Sequence, residues 1–101
     1  MTLHLRAIDN SAAEYEMELT ITNRLGLHAR TSAQLAKLTQ TYQSDILVEK
    51  NGQTADAKNV LSLLMLECPV GTKILVKAKG ADADLALAAV AQLVNDKFGE
   101  E

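Results

Sequence analysis

Strand and helix patterns meet in residues 15–42, YEMELTITNRLGLHARTSAQLAKLTQTY, and their order indicates the architecture. Apolar and polar residues alternate over residues 15–22, which predicts a half-buried strand. The inward positions of this strand would be Tyr15, Met17, Leu19 and Ile21. Residues 23–27 break the alternation and are predicted to form a loop. From His28 to Tyr42, buried-type residues recur at helical spacing without a glycine or proline, which predicts a helix.

The rest of the chain predicts three more strands and two more helices. Residues 44–50 and 53–56 are predicted strands joined by Asn51-Gly52, a dipeptide typical of a type I′ hairpin turn. Residues 59–66 predict a short helix with Asn59 as its N-cap. Residues 72–79 alternate as a strand, and the final helix begins near Asp82 and Asp84, where carboxylates favour the helix dipole.

The resulting order is strand, helix, strand, strand, helix, strand, helix. It predicts an α+β sandwich in which helices cover one face of a single antiparallel sheet. Residues 1–14 show no periodicity and are expected to form either a short strand or a loose extension. The globular domain is therefore expected to span residues 15–101.

Composition excludes several classes of function. The 101 residues include 10 Lys and Arg against 13 Asp and Glu, a net charge of −3, which argues against a polyanion-coating nucleic-acid binder. Only 3% of residues are aromatic, too few for a base-stacking platform. His4, His28 and the single Cys68 match no familiar metal-ligand spacing. With no membrane-length apolar run and no signal-peptide pattern, we expect a cytoplasmic protein without nucleic acid, membrane insertion, metal or cofactor.

One region of this acidic chain is free of carboxylates. Residues 19–44 contain Arg24, Arg30, Lys37 and His28 but no Asp or Glu. His28 lies just before a predicted helix start, where backbone N–H groups and an arginine fork bind phosphate well. Gly26 permits a positive φ or a close backbone approach. The combination suits a phosphoryl group carried on His28. The alternative is that His28 is an ordinary helix-terminal residue beside a solvated Arg30.

The segment Leu25-Gly26-Leu27-His28-Ala29-Arg30 resembles the active-site signature of HPr, the histidine-containing phosphocarrier of the phosphoenolpyruvate-dependent phosphotransferase system. The resemblance covers residues 15–101. It includes the Asn-Gly hairpin, residues 57–66, the glycine before the last strand and residues 80–82 before the last helix. It implies an open-faced βαββαβα sandwich with a four-stranded antiparallel sheet and three helices on one face.

The resemblance also implies a function. His28 would accept a phosphoryl group from phospho-enzyme I on Nδ1 and pass it to an EIIA domain, so the protein would be a monomeric carrier rather than a complete enzyme. Arg30 matches the phosphate-stabilising arginine, and the helix start at Ala29, Arg30 and Thr31 would hold the phosphate. Partners would dock on the first two helices, around an apolar patch on the second helix formed by Val60, Leu61, Ser62, Leu64 and Met65. The competing interpretation is that these residues belong to the core.

Two positions depart from the family pattern. Thr31 stands where the family usually has a proline, which predicts a looser helix start and an extra phosphate donor. Asn59 stands where kinase-regulated members have a serine, so we expect no regulatory phosphorylation there, and Ser62 is expected to be an ordinary polar helix residue. The segment 63–66 and the acidic tail resemble the nitrogen-related branch, so sugar uptake and nitrogen regulation both stay open. A non-catalytic binding module that uses the second helix is the rival function.

Overall fold

A computed structural model describes residues 3–7 and 13–100. Five strands form one antiparallel sheet in the order β1-β2-β5-β3-β4, and three helices cover one of its faces. The strands are β1 (Leu3–Ala7), β2 (Ala13–Thr20), β3 (Asp45–Lys50), β4 (Gln53–Asp56) and β5 (Lys73–Lys79). The helices are α1 (Ala29–Thr39), α2 (Val60–Met65) and α3 (Ala83–Asn95). The α+β class, the four predicted strands and the three predicted helices are confirmed.

A fifth strand extends the predicted sheet. β1 pairs with the outer edge of β2, from Leu3 opposite Met17 to Ala7 opposite Ala13. Residues 3–7 therefore form a short strand, which was one of the two structures expected for the N-terminal segment. Residues 1–2 and 8–12 lie outside the described part of the chain, and the division into an extension and a domain from residue 15 stays a prediction.

The core lies between the sheet and the helices. Met17 on β2 lies opposite Val76 on β5, which also lies opposite Val48 on β3, so three central strands contribute one continuous apolar face. From the helices this face is covered by the buried residues Leu35, Leu63, Leu87, Val90 and Val94. The predicted inward side chains Met17 and Leu19 of β2 are buried, as is Ile21 just after the strand, whereas Tyr15 is half-buried.

The opposite face of the sheet is charged. Its central strand, β5, has Lys77 and Lys79 on the outward side, and Lys79 lies opposite Glu14 on β2 and Asp45 on β3. Lys77 Nζ lies 3.1 Å from Glu49 Oε1. Opposite charges on neighbouring strands stabilise a sheet. The lysine row is thus matched by carboxylates from the strands on both sides.

Helix α1 ends three residues before its predicted end. The last residue is Thr39, whose Oγ1 donates to the Ala57 carbonyl at 2.7 Å. Thr41 Oγ1 donates back to the Leu38 carbonyl at 2.7 Å. Threonine hydroxyls that bond nearby carbonyls compete with helix continuation, and β-branching weakens helix propensity further. Helical spacing alone did not show this competition.

The carboxylate of Asp82 joins two elements. It occupies the N-cap position of α3 but makes no cap to that helix. Instead it accepts the backbone N–H groups of Gln43 and Ser44, each at 2.9 Å, and the Ser44 hydroxyl. The hydroxyl and the Gln43 N–H lower the pKa of Asp82. This contact fastens the start of β3 to the start of α3.

Candidate functional site

The loop before α1 is pressed against a neighbouring turn. Leu27 N–H donates to the Cys68 carbonyl at 2.9 Å, and Gly26 has a φ of +68°. A Cβ on Gly26 would overlap the Cys68 carbonyl oxygen and lie 2.9 Å from the Pro69 Cα. Gly26 therefore has both a positive φ and a close backbone approach, the two features that its sequence position suggested. The close approach determines where the next residues, including His28, leave the loop.

His28 is the N-cap of α1. It has an extended backbone, with φ −103° and ψ −171°, and its carbonyl accepts Ser32 N–H at 2.8 Å. Its Nδ1 accepts the backbone N–H of Arg30 at 3.3 Å. The imidazole is 30% exposed. The ring therefore sits at the positive end of the helix dipole and is accessible to solvent.

A carboxylate that no local sequence pattern indicated, Glu100, completes the site. Glu100 Oε2 lies 2.9 Å from His28 Nε2 and also pairs with the Arg30 guanidinium. Its Oε1 accepts from Asn23 Nδ2 at 2.9 Å. Asn23 is fully buried and donates from the same nitrogen to the Gly26 carbonyl at 2.8 Å. Glu100 is thus held by the loop and the helix start together, although 72 residues separate it from His28.

A left-handed turn after α3 brings Glu100 to the site. Lys97, Phe98 and Gly99 all have positive φ values, 56°, 56° and 75°. Phe98 is buried, and its carbonyl accepts from Gln34 Nε2 on α1 at 3.2 Å. The turn therefore anchors the chain on α1 just before Glu100. The sequence carried only a weak signal for this, an aromatic residue and a glycine within an acidic tail.

The partners of Glu100 determine the state of the imidazole. Hydrogen bonds from Asn23, Arg30 and His28 lower the pKa of Glu100 from 4.5 to about 2. An ionised carboxylate only accepts hydrogen bonds, so the neutral imidazole places its proton on Nε2. Nδ1 then has the lone pair, which agrees with its acceptance of the Arg30 N–H. In this tautomer, Nδ1 is the ring atom that accepts a hydrogen bond at the helix end.

Removing the charge of Glu100 should change how stability depends on pH. Because the pKa is 4.5 unfolded and about 2 folded, the stabilisation is complete above pH 4.5 and is lost as the pH falls towards 2. We expect Glu100→Gln to lower the melting temperature at neutral pH. The melting temperature of this variant should also fall less than that of wild type as the pH drops from 4.5 to about 2. Thermal unfolding followed by circular dichroism from pH 7 to pH 2 measures both effects. Glu18→Gln, on an exposed residue, is the matched control, and equal pH profiles for the two variants would contradict this role of Glu100.

The predicted phosphate-holding residues lie together at the helix start. Ala29 and Arg30 are exposed, and Arg30 lines an open cleft of about 460 Å³ with Arg24, Leu25 and Glu100. Thr31 is fully buried, and its Oγ1 accepts His28 N–H at 3.0 Å. The helix start is therefore capped. The looser start that was predicted from the missing proline is not observed. The role of these residues in holding phosphate stays a prediction.

Helix α2 presents an apolar patch of Val60, Leu61, Ser62, Leu64 and Met65. Leu61 is 65% exposed and Met65 is 70% exposed, so the interpretation that all these residues are core is wrong for these two. Val60, Ser62 and Leu64 are half-buried. Asn59 Oδ1 accepts Ser62 N–H at 3.0 Å, which confirms the predicted N-cap. We refer to these five residues as the α2 patch.

Other features of the described residues add no second site. Within residues 3–7 and 13–100, no helix has the length and apolarity to cross a membrane. The same residues contain no group of three or more His, Cys, Asp or Glu side chains that could hold a metal ion. Cys68 is a buried free thiol, and burial raises its pKa.

Comparisons with known proteins show the family of this chain. The family model described as the phosphotransferase system HPr component phosphorylation site matches residues 15–96. Phosphocarrier protein NPr of Shewanella violacea is 45% identical over 85 residues, which cover 84% of this chain and 93% of the relative. Phosphocarrier protein NPr of Escherichia coli K12 is 42% identical over 82 residues, covering 80% and 91%. Phosphocarrier protein HPr of Cupriavidus necator is 35% identical over 85 residues, covering 84% and 96%.

Solved structures show the same fold. An HPr crystal structure from Thermoanaerobacter tengcongensis has a TM-score of 0.83 and 34% identity, covering 85% of this chain and 97% of that one. The HPr of Bacillus anthracis has a TM-score of 0.78 and 30% identity, covering 80% and 96%. The chain belongs to the HPr family of phosphocarrier proteins of the phosphotransferase system. The resemblance inferred from its sequence is confirmed.

Proposed function

We propose that this protein carries a phosphoryl group on His28, accepting it from phospho-enzyme I in the cytoplasm and passing it to an EIIA domain. One observation carries the proposal. The His28 imidazole stands at the start of α1 with Nε2 held by Glu100 and Nδ1 directed at the helix end beside Arg30. A neutral, oriented imidazole next to phosphate-binding groups is what a phosphoryl acceptor needs.

The chemical step is a displacement at phosphorus. The Nδ1 lone pair of His28 forms the new N–P bond while the bond between phosphorus and the donor atom breaks, and the donor keeps that electron pair. The Nε2 proton stays between the ring and Glu100, whose negative charge stabilises the positive charge that develops on the imidazole. Transfer to the EIIA domain is the same step in reverse, with the acceptor's nucleophile attacking phosphorus.

The groups around Nδ1 would stabilise the phosphoryl oxygens. The backbone N–H of Arg30 donates to Nδ1 and could donate to a phosphoryl oxygen instead after transfer. The backbone N–H groups of Ala29 and Thr31 lie at the same helix end and could do likewise. The Arg30 side chain is 68% exposed and can turn from Glu100 towards the phosphate. Its planar fork suits two phosphoryl oxygens. The exposure of Arg30 and its place beside His28 support a role in phosphate stabilisation.

The α2 patch is the proposed docking surface for both partners. Exposed leucine and methionine side chains on one short helix are unusual for a surface that stays in water. α1 and α2 are neighbours in the fold, so a protein seated on the patch is close to the helix start that bears His28. We expect the carrier to act as a monomer, because the same patch serves donor and acceptor in turn.

Two other functions have support of their own. The relatives named NPr share more residues with this chain than the one named HPr, which favours a nitrogen-branch regulatory paralogue over a sugar-uptake carrier. The exposure of Leu61 and Met65 favours a protein-binding role. If the protein were a non-catalytic binding module, it would need the patch but not His28.

Incubation with phosphoenolpyruvate and enzyme I tests the proposal. We expect the wild-type protein to gain one acid-labile phosphoryl group, measured by intact mass spectrometry. Leu61→Asp should slow acceptance by about tenfold or more, because a carboxylate would be buried in the docked complex. The readout is the initial rate at a donor concentration below saturation.

Leu85→Asp is the matched control for this experiment. Leu85 is 62% exposed on α3, so the same charge is introduced at a similar exposure but away from the α2 patch. It should leave the rate within about twofold of wild type. A wild-type protein that accepts no phosphate would refute the carrier function, and equal rates for the two aspartate variants would refute the docking surface.

A further inference from the structure

We propose that the Thr31 hydroxyl is a positioning group that holds His28 for phosphoryl transfer. The inference rests on the proposed function and deepens it. It concerns the position where this chain departs from the family pattern. Thr31 is the third residue of α1 and is fully buried, so its hydroxyl contacts the protein and not the cleft.

The Thr31 hydroxyl connects the loop before α1 with the backbone of His28. Thr31 Oγ1 lies 2.8 Å from the Gly26 carbonyl oxygen and 3.0 Å from the His28 backbone nitrogen. A hydroxyl has one proton and two lone pairs. The proton goes to the Gly26 carbonyl, and a lone pair accepts the His28 N–H. One side chain of the helix thereby holds both the loop and the nucleophile's backbone.

These bonds restrain the ring through the backbone that bears it. The direction of the imidazole depends on the φ and ψ of His28, which the bonded N–H and the loop on its N-terminal side restrict. In this conformation Nδ1 reaches Arg30 N–H and Nε2 reaches Glu100. Transfer rates are sensitive to small errors in the position of the attacking atom. A protein in which His28 is less restrained should therefore fold normally but transfer the phosphoryl group more slowly.

A proline at this position could not make these bonds. Its ring has no hydroxyl, so the Gly26 carbonyl would lose one donor and His28 N–H one acceptor. Proline instead presets the helix dihedral. Threonine thus stabilises the helix start by a different means, a capping box in which its side chain accepts from the N-cap backbone.

Thr31→Val tests the proposal because valine keeps the shape and removes the hydroxyl. The variant should fold, since the Gly26 carbonyl keeps the Asn23 amide and His28 N–H keeps the Gly26 carbonyl at 3.1 Å. We expect the transfer rate at saturating phospho-enzyme I to fall about tenfold or more, because both hydrogen bonds of the hydroxyl are lost. The KM for the donor should not change, because the α2 patch is intact. Thr31→Ser keeps the hydroxyl and should restore the rate to within about twofold.

Thr39→Val separates positioning from general stability. Thr39 is also fully buried, and its hydroxyl donates to the Ala57 carbonyl at the other end of α1. This variant should lose stability, measured by denaturant unfolding, yet transfer at the wild-type rate. A Thr31→Val protein as fast as wild type, or a Thr39→Val protein as slow as Thr31→Val, would overturn the positioning role.

A second readout does not require transfer. Amide hydrogen exchange of His28, followed by NMR, should be about tenfold faster in Thr31→Val than in wild type and unchanged in Thr31→Ser. Unchanged exchange in Thr31→Val would overturn the positioning role even if no phosphoryl acceptance were detected. Failure of the wild-type protein to accept phosphate, with the exchange difference present, would instead refute the carrier function alone.

Discussion

Replacing His28 by asparagine is expected to abolish phosphoryl acceptance and to leave the protein folded. Asparagine is a good N-cap, so its side-chain oxygen can take over the bond from the Arg30 N–H. It has no nucleophilic nitrogen, and the neighbouring Arg30 and Glu100 cannot replace one. The loss should be complete, below detection in an intact-mass measurement after incubation with phosphoenolpyruvate and enzyme I.

The other histidine of the chain provides the control. His4 lies in β1, so His4→Asn changes the same residue type away from the helix start. This variant should be phosphorylated at the wild-type rate. Acid-labile phosphate on the His28→Asn protein would show that another residue is the acceptor, and the mechanism proposed above would then be wrong.

Replacing Gly26 by alanine should have the largest effect on folding. The added Cβ would overlap the Cys68 carbonyl oxygen, a backbone atom that cannot turn aside, and alanine would have to adopt a φ of +68°. We expect a loss of about 3 kcal/mol in the free energy of unfolding, since strain and overpacking each contribute about 1–3 kcal/mol. The loop would also move, so phosphoryl acceptance should fall in any folded fraction.

Gly52→Ala isolates the cost of the backbone angle. Gly52 has a φ of +83°, and a Cβ there would meet no atom within 4 Å. This variant should lose only about 1 kcal/mol, the cost of a left-handed conformation without a clash. Urea unfolding of both variants measures the difference. Equal losses would show that the contact between the loop and residues 68–69 does not constrain position 26.

Local patterns in the sequence predicted the elements well. Alternation placed β2 and β5, and Asn51-Gly52 marked a hairpin turn whose two residues both have positive φ. Asn59 marked the start of α2. These predictions succeeded because each depends on residues within one turn or strand. The end of α1 was predicted wrongly because the Thr39 and Thr41 hydroxyls bond the Ala57 and Leu38 carbonyls, and helical spacing does not reveal such bonds.

Contacts between distant segments account for what the sequence did not show. The gap in carboxylates around His28 suggested a site free of acids, yet Glu100 enters it from the far end of the chain. Its position depends on three successive left-handed residues and on the burial of Phe98. Such a turn has no periodic signature. His28 could be proposed as the phosphoryl acceptor from the sequence, but the carboxylate that contacts its Nε2 could not be predicted.

The rows of charged residues on the open face of the sheet disfavour a different strand order. β2 presents Glu14 and Glu18 and β3 presents Asp45 and Glu49, so direct pairing of these two strands would set carboxylates beside carboxylates. Like charges on adjacent strands are destabilising. In the observed sheet β5, which follows both strands in the chain, lies between them and presents its lysines to each. The folded sheet avoids this repulsion, because β5 separates β2 from β3 and sets its lysines beside the carboxylates of both.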